Sequence, residues 1–131
     1  MLFISPIYSC LLALIIVLLA YRVTTFRQKE KIGFGDDSAS DAMKRAVRAH
    51  GNAIENIPVG IVLLLILELN YLTPWMLHLF GTVLVVSRVL HAWGLSRAAG
   101  PTKARFYGTL FTWVTLFLMI VVNLLIIITR T

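Results

Sequence analysis

The chain has little acid, one thiol and long stretches with no charge. Of its 131 residues six are acidic and twelve basic, and Cys10 is the single cysteine. A lone thiol excludes an internal disulfide, so cysteine usage says nothing here about redox compartment. Charge is absent from Ile4 to Tyr21 and from Phe106 to Thr129; Ile57 to Leu69 carries only Glu68, and Thr73 to Ser87 only His78. No basic residue precedes Arg22 and no small-x-small cleavage pattern is evident. That argues against a cleaved secretory signal, so the first run is expected to be a permanent helix. The run from Phe111 to Ile128 lacks the polar stripe that a helix of a soluble bundle needs, which excludes that class. Internal repeats and low-complexity tracts are also missing.

What is present is apolar sequence in four blocks. Hydrophobic residues make up 59% of the chain, above the roughly half expected of a soluble domain. Crossing the hydrocarbon core takes roughly 20 residues of helix. Four such spans with short connections use nearly the whole chain, so residues 1–131 read as one all-α, integral membrane four-helix domain. The expected helices are 4–26, 41–69, 74–95 and 103–129. Gly33-Phe34-Gly35-Asp36-Asp37-Ser38 marks a turn, and Ser40 or Asp41 is placed to cap the second helix. Pro58 falls inside that helix, where a bilayer tolerates it. Thr73-Pro74 opens the third helix, and Ala98-Ala99-Gly100-Pro101 separates the third from the fourth.

Positive charge sorts to one end. The first connection holds Arg22, Arg27, Lys29, Lys31, Lys44 and Arg45, and the third holds Arg97, Lys103 and Arg105. The second connection, Asn70 to Pro74, has no charge, and near the C-terminus there is only Arg130. The positive-inside rule then predicts basic loops in the cytoplasm and both termini outside. The formal net charge of +6 is thereby a topology signal. Nucleic acid is not an expected partner, because the basic residues flank spans and no soluble binding domain exists to use them.

The second helix carries an unusual polar set. Arg48, Asn52 and Glu55 stand at i, i+4 and i+7 and so share one face. Arg88 and His91, at i and i+3, share a face of the third helix at similar depth. Ionisable groups in a span normally face a bundle interior or a wet cavity. Arginine forks bind carboxylates, a glutamate binds an ammonium group, and an asparagine both donates and accepts for a peptide amide. A small zwitterionic peptide with two carboxylates, such as glutathione, matches that list, as do other anionic metabolites. The same charges could equally neutralise one another and lock the second helix to the third, with Asn52 as interhelical glue. His78 reads as an interfacial or packing residue, Glu68 as reaching the headgroup region, and Tyr71, Trp75 and Trp113 as interface anchors.

The pattern Arg48-x-x-x-Asn52-x-x-Glu55-x-x-Pro58 resembles the second-helix signature of the MAPEG family, the membrane-associated proteins in eicosanoid and glutathione metabolism. Arg48-Ala-His50-Gly51-Asn52 and the Gly33-Phe-Gly35-Asp36 turn resemble the family's bacterial branch, and Arg88-x-x-His91 resembles its third-helix motif. The resemblance spans essentially the whole chain. It implies a homotrimer with glutathione, as co-substrate, bound between neighbouring subunits near the cytoplasmic boundary of the cell inner membrane. Arg48, His50, Asn52, Glu55, Arg88 and His91 would hold the tripeptide. Arg105, with Lys103 and Arg97 as alternatives, would stabilise its thiolate. The implied partners are membrane lipid and a hydrophobic electrophile, with no metal involved. The implied activity is a microsomal-type glutathione transferase or peroxidase, the alternative being a non-catalytic glutathione- or lipid-binding member. Two departures stand out. Many members have tyrosine where this chain has Asn56, and some have a second tyrosine where it has Leu95. A small multidrug transporter, the other four-span class considered, needs an acid deep in the first helix, and none is there.

Overall fold

The computed structural model describes residues 3–98 and 100–130. Ala99, within the expected breaker, lies outside the described residues. Four helices account for almost everything else: α1 (Ile4–Glu30), α2 (Asp41–Leu69), α3 (Pro74–Arg97) and α4 (Lys103–Arg130). All four are long and apolar enough to cross a bilayer. α1 continues four residues past the expected Phe26, because Arg27, Gln28, Lys29 and Glu30 favour helix and carry it beyond the apolar run. It stops at Lys31, whose left-handed φ of 56° closes the end through its own N–H to the carbonyls of Arg27 and Gln28. α3 likewise runs two residues past the expected Leu95, to Arg97.

Short connections force neighbouring helices antiparallel. α2 and α3 form the centre of the bundle; α1 packs on both of them, α4 packs on both of them, and α1 and α4 do not meet among the described residues. The core follows the α2 stripe Ala49, Ala53, Ile57, Leu64 and Leu67, together with Leu12, Leu77, Leu84 and Met119. The outer helices are the more apolar ones and the less buried. The most apolar windows of α1 and α4 have mean hydropathy 2.3 and 2.6 with 17% and 22% of residues buried, against 1.4 and 50% for α3. Water would select the opposite order, so the exposed faces suit lipid. Cys10 is on this exposed surface.

Ser40 caps α2, its hydroxyl accepting from the Met43 N–H at 3.2 Å, while Glu30 accepts from the Ser40 N–H at 2.9 Å. Arg27 donates to the Gly35 carbonyl at 3.1 Å and so staples the turn, with Gly35 in the left-handed region at φ 71°. At the opposite end Glu68, expected to reach the headgroup region, sits at the end of α2 beside the start of α1. Its carboxylate turns onto the start of α1 and accepts from the N–H groups of Phe3, Ile4 and Ser5 at 2.6–2.8 Å, and from the Ser5 hydroxyl. Those first-turn N–H groups have no intrahelical partner, and in a bilayer leaving them bare is costly. His78 packs edge-on against Tyr8, its Nδ1 2.8 Å from the Tyr8 hydroxyl.

Candidate functional site

At the basic end a cleft of about 190 Å³ opens between α2 and the α3–α4 junction, lined by Val47, Arg48, Gly51, Asn52, Glu55, His91, Leu95 and Arg105. Two glycines let α4 come close enough to close it. A Cβ on Gly94 would fall 2.6 Å from the Arg105 backbone nitrogen, and one on Gly108 would fall 2.6 Å from the His91 nitrogen. Both obstacles are backbone atoms, so only glycine permits this approach, which sets Arg105 and His91 side by side.

Arg88 lies beneath the cleft floor, 1% exposed. Its Nη2 donates to Asn52 Oδ1 at 2.7 Å and lies 3.3 Å from His91 Nδ1, while Nη1 is 3.5 Å from the Thr112 hydroxyl. Its Nε is buried with no acceptor among the described residues. Thr112 donates to the Gly108 carbonyl at 2.7 Å and is 3.0 Å from the Ser87 hydroxyl, so a buried polar chain runs from α4 through α3 to α2. Sequence reading missed Thr112 and Ser87. Ser87 directly precedes Arg88 and Thr112 is one turn beyond Gly108, but neither spacing announces a pair.

The expected site residues therefore divide by position. Arg48, Asn52, Glu55, His91 and Arg105 line one cleft. Arg88 supports it from below. His50, two residues and about 200° around α2 from Arg48, is half-buried on the other side of the helix and does not line the cleft. Of the three cations considered for the thiolate, Arg105 alone lines it; Arg97 sits over the Trp93 ring at 4.5 Å, and Lys103 is exposed. Glu55 closes no ion pair with Arg48, Arg88 or Arg105 among the described residues, and the charged heads of Arg48, Glu55 and Arg105 make no hydrogen bond there. The charge of Glu55 still acts on Arg88, so partial neutralisation between those two stands beside the unpaired heads of Arg48 and Arg105. Interhelical glue holds in part: Asn52 uses its oxygen on Arg88 and keeps its amide NH₂ free. Asn56 turns back onto its own helix, donating to the Asn52 carbonyl at 2.9 Å.

The polar set, its depth and the four-helix frame agree with a match along the chain. The profile of the MAPEG family covers residues 5–125. This chain belongs to the MAPEG family. Its similarity extends to the inner membrane protein YecN of Escherichia coli K12, 36% identical over 121 residues that cover 92% of this chain and 90% of that protein. The YecN of Escherichia coli O6:H1 matches to the same degree. The MAPEG assignment accounts for the all-α bundle and for its exposed apolar faces.

Proposed function

We propose that this MAPEG member is a glutathione-dependent transferase or peroxidase acting on hydrophobic electrophiles that reach it from the bilayer. The observation that carries the reading is the cleft itself: two arginines, a glutamate and an asparagine amide converge there without satisfying one another. Arg48 and Arg105 supply donor forks for carboxylate and thiolate, Glu55 a counter-charge for the γ-glutamyl ammonium, and the Asn52 NH₂ a donor for a peptide carbonyl. Arg88 orients Asn52 and His91. Arg105 would favour the thiolate, the nucleophilic form. In transfer the sulfur lone pair forms a carbon–sulfur bond as the leaving group departs with its electron pair. In peroxide reduction the thiolate attacks the O–O bond, giving an alcohol and a sulfenic acid, and a second glutathione converts the latter to the disulfide and water.

A cleft of 190 Å³ is smaller than the roughly 300 Å³ or more of sites that enclose a small molecule. This supports a site that a neighbouring subunit completes, and the homotrimer that the resemblance implies would supply that wall, with a residue such as His50 on the far face of α2. The relatives being inner membrane proteins supports the same location here, and the charge asymmetry supports a cytoplasmic cleft.

The second reading is a binding protein without turnover. Asn56 and Leu95 favour it, since they stand where many and some family members, respectively, carry tyrosines whose hydroxyls contact glutathione. Titration of the detergent-solubilised protein with glutathione, following thiolate absorbance at neutral pH, separates the two. A stoichiometric thiolate signal lost in Arg48→Ala supports the enzyme, binding without the signal supports the glutathione binder, and no binding overturns both of these and leaves a lipid-binding member.

A further inference from the structure

Beside the cleft, and sharing its wall of Arg48, Leu95 and Arg105, lies a second recess of about 260 Å³ that is also lined by Asp41, Lys44 and Arg45. Its α2 residues stand at i, i+3, i+4 and i+7, one stripe along the first two turns of the helix. Four cations face one carboxylate. No ion pair closes among them within the described residues, and the Arg45 Nε is buried without an acceptor. Like charges gathered at the edge of a low-dielectric bundle repel one another unless an anion joins them, and a buried guanidinium donor calls for an acceptor oxygen.

The depth of the recess points to the source of that anion. It lies at the start of α2 and of α4, where Phe106 and Tyr107, 61% and 47% exposed, open the charge-free run of α4. Aromatic side chains at that junction mark the headgroup level of a bilayer. A basic pocket between spans at this level suits an anionic lipid headgroup. Leu95 gives the recess an apolar wall against which a glycerol backbone can rest.

We propose that this recess binds a phosphate group, supplied by an anionic phospholipid of the adjoining leaflet. Arg45 and Lys44 are the residues particular to it. Arg48 and Arg105 are common to both cavities, so the headgroup would sit against the same two guanidiniums that border the cleft, and a lipid would floor the route from bilayer to cleft. The proposal goes beyond the glutathione reading and does not depend on it.

The test uses the full chain in dodecyl maltoside, with thermal unfolding followed during titration with phosphatidylglycerol, phosphatidylcholine or inorganic phosphate. Phosphatidylglycerol is expected to raise the midpoint and phosphatidylcholine to leave it nearly unchanged. The double variant K44Q/R45Q should bind phosphatidylglycerol roughly tenfold more weakly or worse, as expected for losing hydrogen bonds to a charged group. K44Q alone should show a smaller loss and guards against a folding defect in the double variant. K29Q/K31Q, changed in the neighbouring basic loop, should behave as the parent does. Inorganic phosphate giving the whole shift, with K44Q/R45Q abolishing it, supports the site with a soluble phosphate as its ligand. Equal lipid shifts in parent and K44Q/R45Q, or none in either, overturn the proposal. So does a parallel loss of glutathione binding in K44Q/R45Q, which would make the recess part of the cleft; retained glutathione binding keeps the two sites separate.

Discussion

Arg88 and Asn52 meet across the α2–α3 interface, guanidinium nitrogen to amide oxygen at 2.7 Å, and the same nitrogen lies 3.3 Å from His91 Nδ1. An arginine can only donate, so Nδ1 is the acceptor and the His91 ring proton belongs on Nε2. One buried cation thereby sets the orientation of two residues that line the cleft. Replacing Asn52 by Leu keeps the bulk and removes the acceptor. The expected cost is about 1–2 kcal/mol, read as a lower unfolding midpoint in detergent, together with weaker glutathione binding. Unchanged stability would mean that the Arg88 contact does not hold α2 to α3.

Thr112 carries the other end of this chain. Its single proton goes to the Gly108 carbonyl, which leaves its lone pairs to receive Arg88. Thr112→Val preserves shape and deletes the acceptor, and should destabilise by about 1 kcal/mol. A purely structural effect would stop there. If Thr112 positions Arg88, glutathione affinity should also fall several-fold in Thr112→Val and recover in Thr112→Ser.

Two glycines near the cleft should respond in opposite senses. A methyl on Gly108 meets the His91 backbone at 2.6–2.8 Å, whereas one on Gly51 meets nothing within 4 Å. Gly108→Ala must push α3 and α4 apart and should cost about 1–3 kcal/mol. Gly51→Ala, a helical glycine with space around it, should gain up to about 1 kcal/mol. Because Gly51 lines the cleft, its methyl should also reduce glutathione binding despite the gain in stability. Unfolding midpoints of the two variants, set against the parent, decide the contrast.

Span number, the helix starts and the shared face of Arg48, Asn52 and Glu55 were legible in the sequence, because each follows from local spacing, whereas the ends of α1 and α3 were placed short. Apolar runs report their solvent, and a 3.6-residue period reports a face. What escaped depends on which helices meet. Glu68 reads as an interfacial acid until α1 is laid beside α2 and bare N–H groups appear 2.6–2.8 Å from its carboxylate. Thr112 is one of several hydroxyls in an apolar run until α4 packs on α3 through Gly108. His50 joins the motif in sequence, yet the helical period turns it away from the other three, and a single chain gives it no place in the cleft.

Arg105 offers the sharpest test of chemistry. It lines the cleft with no protein partner for its guanidinium among the described residues, whereas Arg97 is held over Trp93. A cation beside a thiol favours the thiolate and so lowers its pKa below the usual value of about 8.5. Removing the cation reverses the sign. In Arg105→Ala the thiol pKa of bound glutathione should rise by roughly 1–3 pH units. Activity at neutral pH should then drop about tenfold for each unit, and return as pH is raised past the new pKa. Arg105→Lys should keep most of the depression, since a charge is retained, while Arg97→Ala should leave the profile in place. A thiol pKa that does not move in Arg105→Ala would take the thiolate role away from this residue, while glutathione binding measured in the same variant shows whether the cleft still holds its ligand.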